Sequence, residues 1–162
     1  MPIRDVRASD APRIAAIYNH YVRETVVTFE EQPVADAEMA RRISETTASY
    51  PWLVWEEDGA VEAYAYASSW KRRSAYRFAA ESTIYAAPEA TGRGIGSQLY
   101  PALIARMRAV GLHCAIGGIS LPNPASVALH EKLGFVPIGR FREVGCKRGR
   151  WVDGGYWELT LA

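Results

Sequence analysis

Apolar residues recur every three or four positions in several stretches of the chain, and short runs between them read as strands. Ile14, Ile17, Tyr18 and Tyr21 fall on one face of a first helix, with Ser9 or Asp10 placed to cap it. Asp36 to Thr47 predicts a second, more polar helix. Ile95, Leu99, Leu103, Met107 and Val110 predict a long amphipathic helix that begins near Gly94 and stops at Gly111. Ala125 to Leu133 predicts a short helix closed by Gly134. The expected strands are Ile3 to Val6, Trp52 to Glu56, Val61 to Ser68, Tyr76 to Ala86, His113 to Ile119, Val136 to Val144 and Gly155 to Leu161. Asp58-Gly59 turns the second of these into the third, and Ser120 to Pro124 reads as a loop. Strands and helices in this order predict an α/β (α+β) fold, a mixed sheet with helices on both faces.

The segment between the long strand and the long helix carries the strongest chemical signal. In Thr91-Gly92-Arg93-Gly94-Ile95-Gly96-Ser97, glycines at alternate positions strip side chains from the turn. Successive backbone N–H groups can then converge at a helix N-terminus, where free donors and the helix dipole favour an anion such as phosphate. A dinucleotide fold would need a third glycine where Ser97 stands, and an acidic residue about 20 residues later. No Gly-Lys-Ser/Thr follows either, so the turn is not a nucleotide P-loop. A pyrophosphate-bearing ligand remains the expectation, set against a plain helix start with glycines for close packing.

Composition narrows the class. A chain of 162 residues, 49% apolar and 23% charged, is expected to form one soluble domain over its whole length, 1–162. A net charge of +1 gives no reason to expect nucleic acid or a membrane as partner. The N-terminus lacks a signal-peptide core, so the expected location is cytoplasmic. Cys114 and Cys146 are expected as free thiols. His20, His113 and His130 lack metal-ligand spacing, so no metal is expected.

The glycine turn, together with Asn123-Pro124-Ala125-Ser126 and the later Gly134-Phe135, resembles the GNAT superfamily of N-acetyltransferases. Within it the chain is most similar to the phosphinothricin and methionine sulfoximine N-acetyltransferases. Tyr18-Asn19-His20-Tyr21, Tyr50-Pro51-Trp52-Leu53-Val54, Ala80-Glu81-Ser82-Thr83-Ile84-Tyr85, Leu121-Pro122-Asn123 and Leu129-His130-Glu131 carry that likeness across nearly the whole chain. The resemblance implies a mostly antiparallel sheet of about seven strands flanked by about four helices. It also implies acetyl-CoA as co-substrate, a small amino acid as acceptor and a homodimer. Two departures stand out: Thr91 replaces the Gln or Arg that often opens the turn, and His130 replaces a frequent Tyr.

Acetyl transfer to an amine needs the neutral amine, and an α-amino group is mostly protonated at neutral pH. Glu81, among small and apolar neighbours, is the expected base, because desolvation raises a carboxylate pKa toward the working range. His130 is the expected second base or the acid for the departing thiol. Backbone groups of Ile84, Tyr85 and Ala86 are expected to hold pantetheine as an added strand would. The turn residues Gly92, Arg93, Gly94, Ile95, Gly96 and Ser97 would hold the pyrophosphate, and Asn123 the pantetheine amides or the thioester region, set against a plain helix-start residue beside Pro124. On a regular strand Arg77 and Glu81 share a face about 13 Å apart along the backbone, bracketing a small amino acid. Tyr76, Lys147 and Trp151 complete the expected substrate site, with Lys147 read as part of a charged loop. Other acceptors (a protein N-terminus, lysine or polyamine) and a silent acetyl-CoA-binding domain are the competing readings.

Overall fold

The computed structural model describes residues 2–162. Its elements are β1 (Ile3–Asp5), α1 (Ala11–Glu24), α2 (Asp36–Thr47), β2 (Trp52–Glu57), β3 (Ala60–Ser69), β4 (Ala79–Ala86), α3 (Gly96–Ala109), β5 (Cys114–Leu121), α4 (Pro124–Lys132), β6 (Val136–Lys147) and β7 (Arg150–Thr160). One seven-stranded sheet runs in the order β1-β2-β3-β4-β5-β7-β6. Every neighbouring pair is antiparallel except β4 and β5. The expected mixed, mostly antiparallel sheet with four α-helices is therefore what forms.

Strand alternation decides which helix lies on which face. Tyr85 packs against Tyr18 and Tyr21 of α1, whereas Ser82 bonds Tyr100 of α3, and positions 82 and 85 point to opposite sides. So α1 and α2 cover one face, and α3 and α4 the other. Ala63, Ala65 and Ala67 are fully buried on the α3 side of β3, where small side chains let the helix sit close to the sheet. On the other side of the same strand, Tyr64 and Tyr66 stack with Trp52. The predicted stripe of α3 holds for Leu99, Leu103 and Met107, all fully buried, but Val110 is exposed at the helix end.

Four local expectations are corrected. Asp10 sits at the N-cap of α1 but accepts backward, from the Arg7 N–H at 2.7 Å and the Arg4 guanidinium at 2.9 Å, rather than capping the helix. The strand expected from Tyr76 starts only at Ala79, because Ser74–Tyr76 form a 3-10 turn in which Arg77 N–H bonds back to Ser74. The helix expected from Gly94 starts at Gly96, since Gly92 and Gly94 adopt φ of 76° and 78° and cannot be helical. The charged loop around Lys147 is a tight hairpin between the long strands β6 and β7, turning at Arg148-Gly149.

Candidate active site

The parallel pair β4–β5 is the structural origin of the site. Its register runs Ala79↔Cys114, Ala80↔Ala115 and Glu81↔Ile116, and then ends. Beyond that point residues 82–86 of β4 and 117–121 of β5 continue without pairing to each other. The two strands part like a wedge with Glu81 at the apex, and their facing backbone edges stay open to an extended ligand. A cleft of about 260 Å³ fills the wedge, lined among others by Glu81, Ser82, Tyr85, Gly118, Asn123 and His130. A larger hollow of about 790 Å³ lies by the C-terminal ends of α2 and α3. Its charged side chains, Asp5 and Arg106, pair with each other at 2.8 Å and leave it without a free acid or base.

Glu81 stands on the α1 side of the sheet, with Gly118 and Tyr156 beside it. A Cβ on Gly118 would lie 3.3 Å from Glu81 Oε1 and 3.2 Å from the Tyr156 ring, so the missing side chain makes room for the carboxylate. Burial pushes the Glu81 carboxyl above its ordinary range, and among the described residues no cation or hydrogen-bond donor opposes the shift. That is the environment a general base needs. The Glu81 charge also acts on Tyr156, whose hydroxyl is raised first by burial and then by that carboxylate.

His130 lies on the opposite, α3 side and is buried. Its Nδ1 meets the Ser126 carbonyl oxygen at 2.8 Å, and its Nε2 meets the Tyr100 hydroxyl at 2.9 Å. Tyr100 in turn lies 2.6 Å from Ser82 Oγ. Burial lowers the imidazole pKa, so the neutral form is favoured. Both ring nitrogens of His130 thus have partners within the fold, while the residue still lines the cleft. Residue 117 must be glycine for this, because a Cβ there would come within 2.7 Å of His130 Nε2.

The glycine turn delivers the geometry its sequence suggests. Among the hydrogen bonds of the described residues, none uses the backbone N–H of Gly94, Ile95, Gly96 or Ser97 as donor. These donors stand free at the N-terminus of α3. Gly96 also borders the wedge, since a Cβ there would approach Leu129 Cδ2 at 3.2 Å and Ile84 Cδ1 at 3.8 Å. The Arg93 side chain is turned away to pair with Glu57, which leaves its main chain to serve the turn. Asn123 caps α4, accepting from Ser126 N–H at 3.2 Å, and still lines the cleft. Ile84 and Tyr85 line the same cleft, and Ala86 follows them on the open edge of β4.

The expected substrate residues fare differently. Tyr76 and Arg77 lie outside β4, in the turn before it, and do not share the strand face of Glu81. The Arg77 guanidinium is exposed, bonds the Ser74 carbonyl at 3.0 Å and covers the Phe78 ring. Lys147 is buried, and its Nζ donates to the Thr28 carbonyl at 2.8 Å. Lys147 thus fastens the segment between α1 and α2, whose Val27, Thr28 and Phe29 wall the cleft. Trp151 is 66% exposed at the start of β7. Sequence reasoning assigned no site role to Tyr100, Val27 or the Gly117-Gly118 pair; it noted Thr28-Phe29 only as part of the family likeness and Tyr156 only among aromatics shared between core and pocket. The glycine pair was a usable signal, because glycine inside a strand marks a close approach.

Free main-chain donors at a helix start and an open strand edge leading to a buried carboxylate fit acetyl-CoA lying along β4. The chain belongs to the Acetyltransferase (GNAT) family, whose model matches residues 14–135. It is an acetyltransferase with acetyl-CoA as co-substrate. It is 39% identical over 156 residues to a phosphinothricin N-acetyltransferase of Streptomyces viridochromogenes, covering 96% of this chain and 85% of that one. It is 40% identical over 165 residues to an L-methionine sulfoximine/L-methionine sulfone acetyltransferase of Pseudomonas aeruginosa, covering 98% and 94%. The crystal structure of a phosphinothricin acetyltransferase from Sinorhizobium meliloti in complex with AcCoA superposes with a TM-score of 0.96 at 42% identity, covering 100% of this chain and 90% of that one.

Proposed function

We propose that the chain transfers the acetyl group of acetyl-CoA to the α-amino group of a small amino acid with a tetrahedral side-chain head, phosphinothricin or methionine sulfoximine and sulfone. The observation that carries the reading is the buried, unpaired Glu81 carboxylate at the apex of the wedge. Turn donors from residues 92–97 hold the pyrophosphate, and the β4 edge at Ile84, Tyr85 and Ala86 holds pantetheine. The thioester then lies beside Glu81. Glu81 takes the proton of the incoming ammonium, and the neutral amine attacks the thioester carbonyl carbon. Holding both reactants in the cleft removes much of the entropic barrier. The substrate class is supported by the names of the relatives, and the 260 Å³ of the cleft suits a small acceptor.

The substrate wall is assigned to Lys147 and Trp151 together with Tyr76 and Arg77 across a homodimer. In support, β6 is an edge strand with Val136, Ile138, Phe141 and Val144 all more than half exposed, beside Trp151. An apolar edge of this kind is one that a second copy would cover. The free thiols of Cys114 and Cys146 suit the reducing cytoplasm. No helix of the described residues is long and apolar enough to cross a membrane.

Thiol release from acetyl-CoA, measured over a panel of amino acids and ranked by kcat/KM, tests the reading. Turnover led by phosphinothricin or the methionine sulfur-oxidised analogues is expected. No release with any of them overturns it.

A further inference from the structure

Three side chains link the cleft to the interior on the α3 side: Ser82 Oγ to Tyr100 Oη at 2.6 Å, and Tyr100 Oη to His130 Nε2 at 2.9 Å. The direction of each hydrogen bond follows from its far end. The Ser126 carbonyl can only accept, so His130 Nδ1 carries the hydrogen at 2.8 Å. Nε2 of the neutral ring is then bare and accepts from the Tyr100 hydroxyl. The Tyr100 oxygen accepts in turn from the Ser82 hydroxyl. A continuous, polarised line of hydrogen bonds therefore starts at the hydroxyl of a residue that lines the cleft and ends on a base.

We infer that Ser82, Tyr100 and His130 form a proton shuttle that carries one proton from the attacking amine to the departing sulfur. The inference rests on the acetyl-transfer reading above. After the amine nitrogen bonds to the thioester carbon, that nitrogen holds one proton too many. The proton passes to Ser82 Oγ as the serine proton moves to Tyr100 and the tyrosine proton to His130 Nε2. The carbonyl then re-forms, the C–S bond breaks with its electron pair on sulfur, and the line runs back. Imidazolium returns its proton to Tyr100, Tyr100 to Ser82, and Ser82 to the thiolate. One N–H is exchanged for one S–H, and all three side chains end as they began.

The surroundings suit a ring that is charged only briefly. Tyr100 from α3 and Ser126 of its own helix supply its polar contacts, and Ser82 from β4 reaches it only through Tyr100. Phe135 packs edge-on against the ring, and Gly117 of β5 meets it without a side chain. The closest carboxylate of the site, Glu81, lies on the other face of the sheet. The imidazolium is thus held by two neutral acceptors, the Ser126 carbonyl and the Tyr100 oxygen, with no carboxylate among them, which favours giving the proton back.

The test compares wild type, Tyr100→Phe, Ser82→Ala and the double variant by thiol release. Each single variant is expected to lose about 10- to 100-fold in kcat. KM for acetyl-CoA should change by less than about twofold, and the double variant should be no worse than the weaker single one. In mixtures of light and heavy water the wild-type rate should bow below a straight line, and the Tyr100→Phe rate should not. Wild-type kcat in Tyr100→Phe, or a loss seen only in KM or in melting temperature, overturns the shuttle. Heteronuclear NMR of the imidazole nitrogens reads the line independently of turnover: hydrogen on Nδ1 supports it, hydrogen on Nε2 overturns it. Absence of wild-type turnover with every amino acid would sink the functional reading instead, and the NMR result would still decide the polarity of the line.

Discussion

Gly117 and His130 share one space: a Cβ on residue 117 would lie 2.7 Å from both Cδ2 and Nε2 of the imidazole. The next residue, Gly118, does the same for Glu81 on the opposite face at 3.3 Å. Two consecutive glycines in β5 therefore open the sheet to a base on each side, just where β4 and β5 cease to pair. Gly117→Ala is expected to push His130 off Tyr100, with a packing cost of about 1–3 kcal/mol in denaturant unfolding and a lower kcat. An unchanged midpoint with an unchanged rate would show that the helix shifts freely.

The pyrophosphate turn makes a second prediction. Gly94 has φ of 78°, and a Cβ there would meet nothing within 4 Å, so Gly94→Ala is opposed by backbone strain alone, about 1–2 kcal/mol. Calorimetry should show weaker acetyl-CoA binding, roughly tenfold. Thr91→Ala, which removes a hydroxyl bonded to the Pro88 carbonyl at 2.8 Å, should bind acetyl-CoA as wild type does. Equal affinities across all three would mean the turn does not bear the cofactor.

Lys147 supplies a third. Its Nζ reaches the Thr28 carbonyl from β6, so Lys147→Met should release the segment carrying Val27 to Phe29. KM for the amino acid is expected to rise at least about tenfold while acetyl-CoA affinity holds. A change confined to acetyl-CoA would contradict the assignment of that segment to the acceptor side.

Acid stability makes a fourth. His130 is favoured neutral in the fold, its pKa lowered by burial, so the unfolded chain binds more protons as pH falls below about 6.5. Stability should drop with pH from there toward the depressed folded value. Melting temperatures of His130→Gln should fall less than wild type between about pH 7 and 5. Parallel curves would show that folding leaves the His130 pKa unshifted, contrary to its burial.

Much of the site could be read from single segments. The glycine turn, the cap at Asn123 and the apolar setting of Glu81 each depend on residues close in sequence, and each is found in place. What the sequence hid depends on two segments at once. The parting of β4 from β5 is a relation between strands, and the burial of His130 needs Tyr100 from another helix. The strand placement of Arg77 failed for a local reason: a 3-10 turn at Ser74–Tyr76 pre-empts the strand, so alternation from Glu81 does not reach back to it. Lys147 looked like surface charge because its acceptor is a main-chain carbonyl over a hundred positions away, which no side-chain pattern reveals.

The central claim is that Glu81 is the base. Its carboxyl is raised by burial, so the active form is lost as pH falls through that raised value, and burial disfavours the charged form in the fold. The decisive measurement is the pH profile of kcat/KM for wild type and Glu81→Gln, with melting temperature at neutral pH alongside. The account predicts an acid limb above the usual carboxylate range in wild type. In Glu81→Gln it predicts a loss of about 10² or more, no such limb, and an equal or higher melting temperature. A Glu81→Gln enzyme with wild-type turnover and the same acid limb would contradict it.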